Sequence, residues 1–280
     1  MKIKITADST CDLTPEQIAR FDICLMPLRV HIGEKECRDG VDATPDMLYA
    51  HVNKTGELPV TAAVNPVEYE ELFGRFSSEY DGVIHFNISS EFSSCCQNAI
   101  LASHRFDNVY VVDSRNLSTG QGLLVLRAAE LAEQGVPAAE IAAQMQETVE
   151  KVDASFILDQ LEYLKKGGRC SALAVLGANM LKLKPCIEVK DGKMGVGKKY
   201  RGAFKKCLGE YIHDRIADRD DLDLSRVFVT HSGLPEEQLQ FAVEQVKQLQ
   251  NFKEVCVSRA GCTVSSHCGP STIGVLFIRK

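Results

Sequence analysis

The sequence predicts an α/β protein of two domains. An N-terminal, largely parallel sheet flanked by helices is expected over residues 1–155, and a C-terminal α/β domain over 156–280. Three observations carry this. The β-rich apolar runs KIKITADS (2–9), DGVIHFNIS (81–89) and NVYVVDS (108–114) alternate with helical patterns in the first half. RVFVTHSG (226–233), EVCVSRA (254–260) and STIGVLFIR (271–279) supply strands in the second. Strands that alternate with helices argue for parallel pairing, because parallel neighbours need a crossover. Residues 158–200 interrupt the alternation. The helix AAEIAAQMQETVEKV before them places the boundary near 153–156.

Each element has its own local cause. Thr44-Pro45 reads as an N-cap followed by Pro at the first helical position. Asn65-Pro66-Val67-Glu68 reads as a capping box, and Tyr69, Leu72, Phe73 and Phe76 then follow the i, i+3, i+4, i+7 rule. LDQLEYLKKGGRC (158–170) is a helix ended by Gly167-Gly168. A short apolar helix should follow. In KPCIEVKDGKMGVGKK (184–199), Asp191-Gly192 between two extended runs is a hairpin signal. A helix runs from about Arg201 to Ala217. Pro235 opens another, whose Leu239, Ala242, Val243, Val246 and Leu249 form one apolar face.

Composition narrows the function. The chain has 280 residues, 45% hydrophobic and 25% charged, with a net charge of −6 and no long basic run. Nucleic-acid binding needs clustered Lys and Arg, and stacking on bases needs aromatics; here there is no Trp and only 7% aromatic residues. No 18-residue apolar run predicts a membrane span. MKIKITADST enters a strand directly, without the apolar core of a signal peptide, so a cytoplasmic location is expected. Eleven cysteines are present without any C-x-x-C pair. Reduced thiols acting as small core residues are the expectation, with a zinc or redox site on Cys95 and Cys96 as the alternative.

Polar groups gather at three strand ends: Asp8-Ser9-Thr10, Ser89-Ser90 and Asp113-Ser114. In a parallel sheet these ends share one edge, where ligands bind. The competing reading is capping, which alone accounts for Asp8 and Asp113. Two phosphate-loop lookalikes fail. Gly192–Lys198 is followed by Lys199 where a Ser or Thr is needed, and Gly120-Gln121-Gly122 lacks its third glycine, position 125 being Val. The latter pair more simply permits close packing of a helix on the sheet. No G-x-S-x-G or H-E-x-x-H occurs. Ser93, in ISSEFSSCC (88–96), could in principle take His267 as a base, giving an acyl- or phosphoryl-transfer enzyme as an alternative function.

Six segments in order resemble the DegV family of bacterial lipid-binding proteins. They are ITADSTCDL (5–13), ISSEFSSCCQNA (88–99), VVDSRNLSTGQGLLV (111–125), LEYLKKGGRCS (161–171), LKLKP (181–185) and SSHCGPSTIGVLF (265–277). LEYLKKGGRCS is the most specific of them. The resemblance implies two α/β domains with a long-chain fatty acid bound between and within them. It implies no cofactor and no catalysis by the chain itself. The acid would be handed to a separate fatty acid kinase that makes acyl phosphate for phospholipid synthesis. Partners would be the lipid and that kinase, with at most transient membrane contact.

By the same resemblance Thr61, Ser93, Arg169 and His267 hold the carboxylate, with Ser9, Ser94, Ser114 and Ser266 as further candidates nearby. Arg201 and Lys205, in a basic cluster with Lys198, Lys199 and Lys206, match a kinase-docking position; on charge alone they read as a solvated helix face. The sequence departs from the family at Ala62, Asn65, Ser94-Cys95, Cys268 and Ser271. The chemistry is coherent without the resemblance. Burying about a dozen methylenes at ~0.8 kcal/mol each gives about 10 kcal/mol gross, less the cost of ordering. The charged head then needs donors rather than a nucleophile. For the tail, Leu164, Leu173, Val175, Leu176, Met180, Leu181, Leu183 and Ile187 are candidates, equally readable as core.

Overall fold

The structure is a computed structural model that describes residues 1–173 and 183–280. The chain opens with β1 (Ile3–Asp8), a 3-10 turn at Ser9–Cys11 and α1 (Pro15–Arg20), whose Thr14 and Gln17 form a capping box. Short strands β2 (Cys24–Met26), β3 (Arg29–Ile32) and β4 (Lys35–Arg38) follow. Next come α2 (Pro45–Thr55), capped by Thr44, β5 (Val60–Ala62), and α3 (Pro66–Ser77) with the expected Asn65–Glu68 box. Then β6 (Gly82–Asn87), α4 (Cys95–Ser103), β7 (Val109–Asp113), α5 (Thr119–Glu133) and α6 (Ala138–Thr148) complete the first half.

The second half contains β8 (Val152–Leu158), α7 (Glu162–Gly167), β9 (Leu183–Lys190), β10 (Lys193–Arg201) and α8 (Phe204–Ile216). It ends with β11 (Leu222–Ser232), α9 (Glu236–Leu249), β12 (Glu254–Arg259), α10 (Cys262–Cys268) and β13 (Thr272–Arg279). The Asp191-Gly192 hairpin forms, with both residues at positive φ (50° and 79°), the backbone a two-residue turn of this hand requires. The short apolar helix expected after Ser171 lies outside the described residues, as do Val175, Leu176, Met180 and Leu181.

Three sheets result among the described residues. A four-stranded, all-parallel sheet has the order β2-β1-β6-β7. A six-stranded mixed sheet has the order β10-β9-β8-β13-β11-β12, with β11 and β12 its one parallel pair. A small antiparallel sheet, β4-β3-β5, carries Thr61 opposite Val30. The position 155/156 falls inside β8, which pairs along its length with β13 and with β9. One buried cluster joins residues of the first sheet, such as Ile5 and Val83, to Phe156, Val189 and Leu276 of the mixed sheet. At the centre is α5, buried from Thr119 to Leu126. Gly122 permits this, since a Cβ there would stand 2.7 Å from the Cys11 carbonyl oxygen. A second cluster fills the far face of the mixed sheet beneath α8 and α9.

Candidate functional site

The strand-end carboxylates are not simple caps. Asp8 is fully buried and makes no capping bond to the turn it precedes. Its carboxylate accepts from Ile88 N–H (2.8 Å), from the Gln121 side chain (3.0 Å) and from the Thr10 hydroxyl, tying β1, β6 and α5 together. Burial pushes its carboxyl above the ordinary range. Asp113 accepts from the Ser90 and Arg115 amides and so shapes two neighbouring loops. In the ISSEFSSCC stretch, Ser89 donates to the Gly192 carbonyl (2.8 Å), docking the β9–β10 hairpin onto the parallel sheet's edge.

Two further carboxylates build the site from a distance. Asp39, on the loop after β4, accepts from the Cys262 and Thr263 amides at 2.7 and 3.0 Å, and from the Ser9 hydroxyl at 3.2 Å. Asp12 accepts from the Gly261 amide at 2.8 Å and from Ser118 at 2.5 Å. Together they satisfy three successive donors at the start of α10. Burial pushes the Asp12 carboxyl up to about 8. This clamp fixes α10, and α10 carries His267.

His267 Nε2 lies 2.8 Å from the Thr61 hydroxyl, closing the cleft between the small sheet and the C-terminal segment. Its Nδ1 has no partner among the described residues and faces Gly167, where a Cβ would come within 2.5 Å. The GGR turn therefore has a physical reason. Gly167 lets the end of α7 lie against the ring, and Gly168, at φ 70°, turns the chain out so that Arg169 stands exposed at the rim. Arg169 donates to the Gly167 carbonyl (2.9 Å) and has no carboxylate partner among the described residues. Burial, helped by the Arg169 charge, holds the His267 imidazole down at about 4, so the ring is neutral near pH 7.

Two cavities meet here. The outer one, about 530 Å³ including its open mouth, is lined by Thr61, Ser93, Arg169 and His267 together with Leu28, Phe92 and Thr263. The inner one, about 390 Å³, runs over the mixed sheet beside Phe156, Val189 and Leu276. Leu117, Val264 and Cys268 line both, so the two abut. The hydroxyls of the inner cavity are spent on the protein. Ser118 bonds Asp12, Thr230 bonds Thr119, Ser232 bonds Tyr49 and Ser265, and Thr272 bonds the Cys268 carbonyl. What remains is an apolar wall.

The four principal residues expected from the sequence thus converge on one cavity. The four secondary serines line neither. Ser9 bonds Asp39 and the Leu28 amide, Ser114 closes a turn with Asn116, and Ser266 bonds back to the Cys262 carbonyl. Ser94 is exposed at the start of α4. Of the tail candidates, Leu164 and Ile187 are buried in the core and line neither cavity; the lining comes from both halves of the chain instead. Asp12, Asp39 and Thr263 were not foreseen, because the partners of the carboxylates are distant in sequence and the Thr263 hydroxyl has none among the described residues.

The Ser93 hydroxyl donates towards the Cys95 thiol and accepts the Cys95 amide, both at 3.2 Å, while His267 is turned to Thr61; among the described residues no hydrogen bond joins Ser93 to a base. Of the eleven cysteines, all but Cys24 and Cys256 are buried. Burial pushes the Cys96 thiol up to about 12, against reactivity. Among the described residues no three His, Cys, Asp or Glu side chains gather as a metal site, and no helix is long and apolar enough to cross a membrane.

Of the expected docking residues, Lys205 pairs with Glu237 at 2.7 Å, whereas Arg201, exposed at the end of β10, has no acidic partner among the described residues. Lys198 and Lys206 are paired with Asp214 and Glu210.

Comparison with known proteins agrees with this fold. A DegV domain-containing protein of Caldanaerobacter subterraneus is 32% identical over 283 residues, covering 100% of this chain and 99% of its own. The solved structure of a DegV family protein from Thermus thermophilus, described by its fatty acid binding, superposes with a TM-score of 0.90 at 29% identity and full coverage of both chains. A stearic acid-binding protein from Eubacterium ventriosum superposes with a TM-score of 0.85 at 27% identity, covering 99% and 98% of the two chains. The model of the DegV family of uncharacterised proteins matches residues 2–280, and the chain belongs to that family.

Proposed function

We propose that this chain binds a long-chain fatty acid and presents its carboxylate to a separate fatty acid kinase for acyl-phosphate formation. The observation that carries the reading is the pair of abutting cavities, one with unneutralised donors at its mouth and one whose hydroxyls are all spent on the protein. The relatives that bind fatty acids support it. In this reading the tail enters the inner cavity and supplies most of the affinity by burial of its methylenes. The head stays in the outer cavity, where Thr61 and Ser93 donate and Arg169 contributes the positive charge. His267 acts as the Nε2–H tautomer, donating to the Thr61 oxygen so that the Thr61 proton is free for the ligand. The Ser93 hydroxyl gives up a thiol, a weak acceptor, for a carboxylate oxygen.

The test is chemical. Denatured protein should release a long-chain acid detectable by mass spectrometry, and delipidated protein should reload with one. A protein that is empty and binds no fatty acid overturns the reading. For presentation to a kinase, the support is the open rim at Arg169 and the exposed Arg201, which has no acidic partner among the described residues. The expected result is that Arg201→Glu lowers acyl-phosphate formation by kinase and ATP while leaving fatty acid affinity unchanged. Equal rates for the two proteins would exclude docking through Arg201.

A further inference from the structure

The donors assigned to the head group leave one place unfilled. A carboxylate offers about four lone-pair sites. Thr61, Ser93 and Arg169 can each reach into the outer cavity, but His267 spends its Nε2 on Thr61 and turns Nδ1 to Gly167. Thr263 also lines that cavity and not the inner one. It stands on α10 four residues before His267, hence on the same helix face. The residue is 4% exposed, and its Oγ1 has no hydrogen-bond partner among the described residues. Its neighbours on α10 behave differently, since the Ser265 and Ser266 hydroxyls both bond to backbone carbonyls. Of the seven cavity-lining hydroxyls, only the Thr263 one lacks a partner among the described residues.

A buried hydroxyl left unpaired carries an uncompensated desolvation cost, which a ligand oxygen at the site would relieve. Its backbone is also fixed, because the Thr263 amide is held by Asp39 at 3.0 Å. We infer that Thr263 is a further ligand-binding residue, donating its hydroxyl proton to the carboxylate of the bound acid. This rests on the fatty-acid reading of the site.

Thr263→Val keeps the shape and removes the hydroxyl; Thr263→Ser restores it. Delipidated proteins are titrated with palmitate and with its methyl ester, and their melting is followed without ligand. The expected result for Thr263→Val is a loss of palmitate affinity of about tenfold or more, the scale of a hydrogen bond to a charged group. The ester should be little affected, recovery should come with Thr263→Ser, and the unliganded melting temperature of the Val variant should be equal or higher. Unchanged palmitate binding in Thr263→Val, an equal loss for acid and ester, or no recovery with Ser overturns the inference while leaving the fatty-acid reading standing. A wild-type protein that binds no palmitate overturns both.

Discussion

Thr61 and His267 are 206 residues apart in sequence, yet the Thr61 hydroxyl sits 2.8 Å from His267 Nε2. One stands on the small antiparallel sheet, the other on the helix between the last two strands. The contact makes the state of the imidazole part of the head-group site. With the ring held at about 4 by burial and by Arg169, an arriving carboxylate adds a negative charge that favours the imidazolium. The His267 pKa should therefore rise on loading, readable from its ring-proton NMR shifts against pH with and without palmitate. No upward movement would mean that the carboxylate does not settle near the ring.

The clamp on α10 has a measurable strength. Replacing Asp39 by Ala leaves the Cys262 and Thr263 amides without their charged acceptor. The expected loss is ~2–4 kcal/mol of stability, with Asp39→Asn recovering part of it through its single amide oxygen. Thermal or urea unfolding of the two variants measures this. Equal stability of wild type and Asp39→Ala would show that α10 is held by packing alone.

Stability should also depend on pH through two buried groups of opposite sign. Asp12 is raised from 3.8 to about 8, so the folded state holds a proton that the unfolded chain releases. Its contribution is complete below pH 3.8 and is lost as pH rises to about 8, by up to ~1.4 kcal/mol per unit. His85 is lowered from 6.5 to about 3 by burial between Tyr69 and Phe73. Its contribution is complete above pH 6.5 and is lost as pH falls towards 3. The two slopes oppose each other between about 3.8 and 6.5, and above 6.5 that of Asp12 stands without the opposing one. Unfolding free energies at pH 6.5 and 8 should fall more steeply for wild type than for Asp12→Asn. Parallel profiles would exclude a raised Asp12.

What was legible in the sequence was what the sequence encodes locally. The Asn65–Glu68 box, the Thr44 cap and the Asp191-Gly192 turn each need only four or so neighbouring residues, and each formed. The three- and four-residue strands β2 to β5 carry too few residues for alternation to show. Strand β8, which begins at Val152 where the sequence reads as the tail of a helix, is defined by β13, over a hundred residues away, as well as by β9. At the site the family motifs located Thr61, Ser93, Arg169 and His267. They did not separate Ser9, whose hydroxyl is consumed by distant Asp39, or Ser114 and Ser266, whose hydroxyls bond carbonyls two and four residues away, from Thr263, whose hydroxyl has no partner among the described residues. Side-chain type is written in the chain; whether a hydroxyl has a partner is decided by the folded backbone, locally for Ser114 and Ser266 and between distant elements for Ser9.

The junction of the two cavities gives the sharpest test of how a ligand lies. Val264 is 7% exposed and lines both, one turn of α10 before Cys268. A larger side chain there narrows the passage from head to tail without touching Thr61, Ser93 or Arg169. If the carboxylate stays outside and the chain threads inward, Val264→Phe should discriminate by length. Palmitate should lose affinity, because methylenes beyond the junction no longer find the apolar wall, at ~0.8 kcal/mol for each one left in water. Octanoate, with far fewer carbons to place past the junction, should lose much less. Competition of the two acids against one fluorescent fatty acid, on wild type and Val264→Phe, reads both effects together. Equal losses for the long and the short acid would place the whole ligand in the outer cavity and leave the inner one as packing space.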